Sequence, residues 1–244
     1  MKVVGIIPAR YQSSRFPGKP LAMINGKPMI WWVYNQVKKV ELFEHVYVAT
    51  DSQLIFDTCQ NNNIAVLMTS DQCRTGTDRL GEVAQNLDAD IYVNIQGDEP
   101  MIEPETVEAV ARYAMEHPEV KVVNTMTKLP EFEDANCDTI VKVVAADNGD
   151  LIYLSRSPIP YPKKGQKIQY YRHLGLYALT KDALVFYSNS KRSTNEKIED
   201  IEMLRFLENG YQIKIIEVAS ATIGVDRPED IQKVEYAMKE RKIY

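Results

Sequence analysis

A chain of 244 residues, 45% hydrophobic and 26% charged, is long enough for one large α/β domain with a full core and has an ordinary globular composition. Its formal net charge of -5 excludes the extended basic footprint that nucleic acid or an anionic membrane selects, yet leaves room for an anionic small molecule held by a local cation cluster. No stretch approaches the ~20 apolar residues of a membrane span, and Met1-Lys2 leads into a strand without a signal-peptide pattern, so a cytoplasmic protein is expected. Cys59, Cys73 and Cys137 are odd in number and widely spaced, fitting neither a disulfide framework nor a C-x-x-C metal site, and read as structural thiols.

The apolar run Val3 to Ile7 stops at Pro8, which cannot donate a ladder hydrogen bond and is expected to end the strand. Up to Pro20 the chain then supplies Arg10, Arg15 and Lys19 together with Ser13, Ser14 and Gly18, donors suited to an anion. The bland alternative is a solvated basic loop. Position favours a phosphate site, because open α/β sheets bind ligands just outside the carboxyl ends of their strands. Gly18-Lys19-Pro20 lacks the spacing and hydroxyl of a Walker A loop, and no G-x-G-x-x-G follows, which disfavours a P-loop ATPase and a dinucleotide oxidoreductase.

Pro28 opens a helical pattern through Met29, Trp32, Val33, Val37 and Val40. Val46 to Thr50 reads as a strand, Asp51-Ser52 as the N-cap of a helix carrying Leu54, Ile55 and Cys59, and Ile64 to Met68 as a third strand. A polar loop from Asp71 to Arg79 leads into a helix with Leu80, Val83, Ala84 and Leu87. Ile91 to Ile95 is the fourth strand, followed by the acidic loop Gln96-Gly97-Asp98-Glu99-Pro100 and a helix from Pro104 through Ala114. This alternation, with strands too apolar to keep one wet face, predicts a mostly parallel sheet covered on both sides.

From Val120 the pattern changes. Val141 to Ala146, the turn at Asn148-Gly149 and Leu151 to Ser155 predict a hairpin, so the sheet becomes mixed. Tyr161 to Lys167 reads as a solvated loop, Tyr170 to Leu179 as a strand, Lys181 to Tyr187 as a helix, and about Glu196 to Glu208 as one long helix closed by Asn209-Gly210. Ile213 to Val218 is the last strand, and a terminal helix carries Ile231, Val234, Ala237 and Met238 on one face. No repeat or linker appears, so residues 1–244 read as one domain with an excursion at about 120–195 that would supply a dimerisation arm.

A carboxylate at a strand end opposite a phosphate loop is what a Mg²⁺-nucleotide site requires, which singles out Asp98. Asp98 is equally suited to cap a turn, and Asp226 stands where it would cap the terminal helix. His173, taken alone, fits a satisfied core histidine.

Seven strings in order carry a resemblance: Ile7-Pro8-Ala9-Arg10-Tyr11, Ser13-Ser14-Arg15-Phe16-Pro17-Gly18-Lys19-Pro20-Leu21, Ala49-Thr50-Asp51, Gly76-Thr77-Asp78-Arg79, Gln96-Gly97-Asp98-Glu99-Pro100, Arg172-His173-Leu174-Gly175-Leu176-Tyr177, and Gly224-Val225-Asp226-Arg227-Pro228-Glu229-Asp230. Over nearly its whole length the chain resembles the 3-deoxy-manno-octulosonate (Kdo) cytidylyltransferases, or CMP-Kdo synthetases. The resemblance implies an α/β, Rossmann-like nucleotidyltransferase fold with three αβα layers, Mg²⁺ as cofactor, CTP and a Kdo-type sugar acid as partners, a homodimer, and a cytoplasmic role in lipopolysaccharide biosynthesis. It implies that Arg10, Lys19 and Asp98 are catalytic and that Asp98 and Asp226 hold Mg²⁺. By the same resemblance, Pro8, Ala9, Arg10, Ser13, Ser14, Arg15, Lys19, Arg74, Thr75, Gly76 and Gln96 would contact the nucleotide. Gln96, Asp98, Arg156, His173, Tyr177, Glu202 and Met203 would contact the sugar.

The chain departs from that family in two places. Glu202-Met203-Leu204-Arg205 stands where the family usually reads Glu-Gln-Leu-Arg, and Leu179-Thr180 stands where Tyr-Arg is common. A Met cannot donate to a hydroxyl, so a modified Kdo such as the 8-amino-8-deoxy sugar is an alternative substrate. Other readings are a nucleotidyltransferase for a sialic-acid-like keto acid or a sugar 1-phosphate, against which the 96–100 string speaks, and a nucleotide-binding sensor on the same fold.

Overall fold

Alternating apolar side chains divide the molecule into layers. In β1 (Val3–Ala9), Val3, Ile7 and Ala9 enter one core while Val4 and Ile6 enter another, so both faces of the strand are covered. The computed structural model describes residues 1–13, 15–219 and 223–243. After β1 come a short hairpin, β2 (Met23–Ile24) and β3 (Lys27–Pro28), then α1 (Met29–Val37), β4 (His45–Thr50), α2 (Gln53–Asn61), β5 (Val66–Met68), α3 (Gly76–Asn86), β6 (Ile91–Asn94) and α4 (Pro104–Glu116). The second half supplies β7 (Val122–Lys128), the hairpin β8 (Lys142–Ala145) and β9 (Leu151–Ser155), then β10 (Tyr171–Thr180), α5 (Lys181–Asn189), α6 (Thr194–Glu199), α7 (Met203–Glu208), β11 (Ile213–Glu217) and α8 (Asp230–Glu240).

The main sheet runs β11-β7-β10-β6-β1-β4-β5, with β8 paired to β10 and β9 to β8. Pairings β6–β1, β1–β4, β4–β5 and β7–β11 are parallel, whereas β10 lies antiparallel between β6 and β7. Helices α1, α2 and α4 pack on one face, α3, α5 and α7 on the other, giving the three-layer α/β, Rossmann-like arrangement. A third cluster joins Ile24, Met29 and Trp32 to Val234 and Met238 of α8, closing the terminal helix over the β2–β3 hairpin.

Three local expectations change. Pro8 does not end β1: the strand continues to Ala9, because β1–β6 pairing has already ended at Ile6 opposite Asn94 and the missing N–H falls beyond it. Asp226 does not cap the terminal helix. The Asp230 carboxylate accepts from the backbone N–H groups of Asp226 (3.1 Å) and Arg227 (3.0 Å), which leaves the Asp226 side chain for other partners.

The long helix near 196–208 is two helices, broken at Asp200 in the left-handed region (φ 52°). In one unbroken helix Glu196 and Arg205 would be separated by about 13 Å along the axis. The break folds α7 back so that Arg205 meets the Glu196 carboxylate through Nε (2.8 Å) and Nη2 (2.6 Å), with side chains only 4% and 1% exposed. The same guanidinium lies 3.6 Å from the Tyr187 ring centroid and donates to the Tyr187 carbonyl.

Removing one member of such a buried pair leaves an uncompensated charge. Glu196→Ala is therefore expected to lower the unfolding free energy by about 3–5 kcal/mol in urea titrations, and joint replacement by Glu196→Leu and Arg205→Met to recover much of that loss. A double variant no more stable than Glu196→Ala would contradict this account.

Candidate functional site

The site forms where β1 and β6 end side by side. Beyond Ala9, the loop turns through Gly18, whose φ of 69° lies in the region open to glycine and whose N–H donates to the Tyr11 carbonyl at 2.8 Å. This turn directs Lys19 toward the loop after β6, where its Nζ lies 2.6 Å from Asp98 Oδ2 and 3.7 Å from Asp226 Oδ1. Arg15 Nη2 reaches Asp226 at 3.0 Å. The Val225 N–H donates to the Asp98 carbonyl (2.9 Å), so the two acidic loops are also joined through backbone. Arg10 is exposed and makes no ion pair among the described residues. Ser13 Oγ accepts from the Phe16 N–H within its own loop, and Ser14 lies outside the described residues.

The donor chemistry at Asp98 and Asp226 suits Mg²⁺. Two carboxylates share one ammonium, and among the described residues no cluster of three His, Cys, Asp or Glu side chains forms a closed protein cage. Mg²⁺ typically takes one or two carboxylates and completes its shell with water and substrate phosphate oxygens.

Two clefts adjoin this cluster. The smaller, about 300 Å³, is lined by Pro8, Ala9 and Arg10 from the end of β1, by Arg74, Thr75 and Gly76 at the start of α3, and by Gln96. Ser13, Arg15 and Lys19 lie outside its lining, on the side of Asp98 and Asp226. The Thr75 hydroxyl is committed: it accepts from the Asp78 N–H (3.1 Å), while Asp78 Oδ2 accepts from the Thr75 N–H (3.1 Å) in a capping box, so Thr75 offers the cleft backbone rather than its side chain. Cys73 also faces this cleft, its thiol hydrogen-bonded to Glu82 and its pKa pushed up to about 12 by burial.

The larger cleft, about 460 Å³, is lined by Arg156, His173, Tyr177, Glu202, Met203 and Asp226, and shares Gln96, Asp200 and Glu202 with the smaller one. Asp98 lines neither, although its loop neighbours Gln96 and Glu99 line the larger cleft and Gln96 also the smaller. Glu202 Oε2 accepts from the Thr77 N–H (3.1 Å), from the Thr77 hydroxyl and from Tyr177 OH (3.4 Å), and burial raises its pKa. Tyr177 therefore supports Glu202 with its only hydroxyl. Arg156 donates to the backbone carbonyls of Glu199 (2.6 Å), Asp138 (2.8 Å) and Asp200 (3.2 Å), so two of a guanidinium's five N–H groups remain for a ligand. Met203 is 1% exposed, part of the core beneath the cleft wall.

His173 combines both sequence readings, a satisfied interior histidine that also faces a cleft. The Thr125 N–H donates to Asn124 Oδ1 (2.6 Å), which fixes that amide so that its Nδ2 donates to His173 Nε2 (2.8 Å). The ring then carries its proton on Nδ1 and is neutral. Burial lowers its pKa from 6.5 to about 4.

Sequence reasoning passed over Arg192 and Asp200. Arg192 lines the nucleotide-side cleft and pairs with Asp200 (2.9 Å) and Glu196 (3.2 Å). Neither belongs to a motif, and Asp200 reaches the clefts only because the helix breaks there. Arg172 also lines the larger cleft, pairs with Glu133 (3.2 Å) and keeps a buried Nε with no hydrogen-bond partner among the described residues.

Two clefts meeting beside a paired Lys and two Asp, at the carboxyl ends of a mostly parallel sheet, suit nucleotidyl transfer, and a family model described as cytidylyltransferase matches residues 4–216. The chain belongs to that family and is a nucleotidyltransferase. Within it, the chain groups with the 3-deoxy-manno-octulosonate cytidylyltransferases: it is 42% identical over 244 residues to the one from Fusobacterium nucleatum, covering 100% of this chain and 99% of that protein. It is 43% identical over 237 residues to the one from Escherichia coli, covering 97% and 96%. A solved structure of CMP:2-keto-3-deoxy-manno-octonic acid synthetase complexed with CTP superposes with a TM-score of 0.94 at 42% identity, over 99% of this chain and 100% of that one. A glucose-1-phosphate thymidylyltransferase from Bacillus anthracis, at 16% identity and a TM-score of 0.71, shares the fold.

The His173 assignment has a measurable sign. A pKa lowered from 6.5 to about 4 means that, as pH falls through that window, the unfolded chain binds a proton that the folded chain refuses, so this group makes stability fall with pH between those values. Imidazole NMR is expected to record a His173 midpoint near 4, with Nδ1 protonated at neutral pH; a midpoint above 6 would overturn the assignment.

Proposed function

We propose that this protein transfers CMP from CTP to Kdo, yielding CMP-Kdo and pyrophosphate. The supporting observation is the convergence of Lys19 with Asp98 and Asp226 beside two clefts that share Gln96 and Glu202. CTP occupies the smaller cleft, its base and ribose near Arg74 to Gly76 and Ala9, and its phosphates toward Arg10, Arg15 and Lys19. The sugar acid occupies the larger cleft, its carboxylate on the free N–H groups of Arg156 and its hydroxyls among His173, Gln96 and Glu202.

The anomeric hydroxyl attacks the α-phosphorus: the new O–P bond forms, the bond to pyrophosphate breaks, and the hydroxyl proton passes to the departing pyrophosphate or to solvent. Rate then depends on alignment of two bound reactants and on charge preorganised for the phosphate oxygens. Lys19 and Arg10 hold charge on the leaving pyrophosphate, and neutral His173 donates through Nδ1–H to a sugar oxygen. Asp98 and Asp226 would hold Mg²⁺, which when bound would supply further charge neutralisation at the phosphates. The same reading includes a cytoplasmic homodimer serving lipopolysaccharide biosynthesis. Supporting it, no helix of the described residues is long and apolar enough to cross a membrane, and Phe132 and Tyr161 leave apolar surface uncovered on the excursion.

One observation favours a second reading of the sugar. Glu99, Asp200, Glu202 and Asp226 line the larger cleft against Arg156 and Arg172, whose guanidinium groups already hold carbonyls or Glu133. With Met203 in place of an amide, such a cleft suits a sugar acid carrying an ammonium group, as in 8-amino-3,8-dideoxy-manno-octulosonate.

Pyrophosphate release from CTP tests the reaction. Asp98→Asn is expected to abolish Mg²⁺-dependent release without unfolding the protein, and Lys19→Ala to lower kcat by ~10²- to 10³-fold, the usual loss for one preorganised charge contact. Unchanged turnover in Asp98→Asn would remove its metal role. Ratios of kcat/KM for Kdo and its 8-amino analogue decide the sugar: the second reading requires a preference for the amino sugar that Met203→Gln shifts toward Kdo.

A further inference from the structure

The proposed mechanism makes no use of a fully buried lysine. Lys142 of β8 is 0% exposed and lies opposite Ser155 of β9 and Arg172 of β10. Taking an ammonium out of water costs several kcal/mol, and among the described residues no carboxylate hydrogen-bonds this one. Its Nζ donates instead to the carbonyls of Cys137 (2.9 Å), Ile140 (2.6 Å) and Arg156. An ammonium has three N–H donors, so all are used.

Those carbonyls belong to two segments, the loop before β8 and the residue following β9, and both form the wall of the larger cleft through Thr139, Ile140 and Arg156. The Arg156 side chain returns to the same loop at Asp138 and crosses to Glu199 and Asp200 at the helix break. Lys142 thus holds the main chain from which Arg156 projects, and Arg156 laces the loop to the opposite wall. Burial lowers the Lys142 pKa, with Arg156 opposing its charge and Asp138 and Glu199 supporting it at longer range. An apolar side chain of equal length would fill the space and leave the carbonyls without their donor.

We infer that Lys142 is a positioning residue for the sugar acid, fastening Cys137, Ile140 and Arg156 so that the cleft wall and the Arg156 guanidinium hold the geometry a carboxylate-bearing substrate requires. This rests on the proposed reaction. The smaller cleft takes no wall from these segments, so the nucleotide is indifferent to the lysine.

Pyrophosphate-release kinetics with Lys142→Met and Lys142→Gln test it. Lys142→Met is expected to raise the KM for the sugar acid by about tenfold or more while keeping the KM for CTP within about twofold of wild type, and Lys142→Gln, which retains two donors, to fall between. A purely structural role would lower the melting temperature and either raise both KM values together or leave both unchanged, and either result overturns the inference. If neither variant folds, hydrogen exchange on the wild-type protein decides: sugar acid, and not CTP, must slow exchange in residues 137–141. Failure of the wild-type protein to release pyrophosphate with any octulosonate overturns the proposed reaction and this inference together.

Discussion

Close approach of four backbone segments around Pro8 and Gln96 is the constraint on which the site depends. A Cβ on Gly97 would come within 3.0 Å of the Pro8 carbonyl oxygen, one on Gly76 within 3.3 Å of the Pro8 ring, and one on Gly175 within 2.4 Å of the Gln96 side chain. Glycine at these positions lets the end of β1, the first turn of α3, the loop after β6 and the bulged part of β10 meet. The register shift between Leu174 and Tyr177 against β7 spreads β10 where Gln96 and Asn94 donate to the Gly175 carbonyl. Without this packing the two clefts would not share a wall.

The antiparallel direction of β10 follows through to chemistry. A parallel strand would bring its carboxyl end to the site; β10 instead brings its first half, so His173 and Gly175 lie just beyond the end of β6, while Tyr177 pairs with Asn94. β8 attaches to that half, with β9 beside it, and the hairpin brings Lys142 and the Arg156 that follows β9 to the same rim. What reads in sequence as an excursion from the nucleotide-binding pattern is the wall of a second cleft.

Much of the nucleotide side was legible because its determinants are local. A strand end, three cations and a left-handed glycine lie within twenty residues, and the helix beginning at Gly76 carries its own cap in Thr75 and Asp78. The resemblance supplied His173, Tyr177 and Glu202, which no local pattern distinguishes from core residues. The break at Asp200 was hidden, since helical periodicity continues from Glu196 to Glu208 and only the tertiary pair Arg205–Glu196 requires the chain to fold back. Arg192 was hidden because its partners, Glu196 and Asp200, lie on α6 and at the break that ends it. Asp226 was misread as a cap because the competing acceptor, Asp230, lies four residues later on the helix it initiates.

The charge arrangement at the rim also limits how ligands can enter. Lys19 bridges Asp98 and Asp226 with its side chain only 15% exposed, and Arg15 joins the second carboxylate, so cations and carboxylates already neutralise one another. Partial burial strengthens the Lys19–Asp98 pair relative to surface ion pairs and makes either member costly to leave unpaired. A divalent cation arriving alone would displace Lys19 and strand its charge; a triphosphate arriving alone would draw Lys19 away and strand the carboxylates. Arriving together, the two would exchange partners without leaving either sign unpaired, phosphate taking the lysine and the metal the aspartates. On the proposed reaction, the rim therefore favours the metal–nucleotide complex over either component through the internal pairing that both must replace.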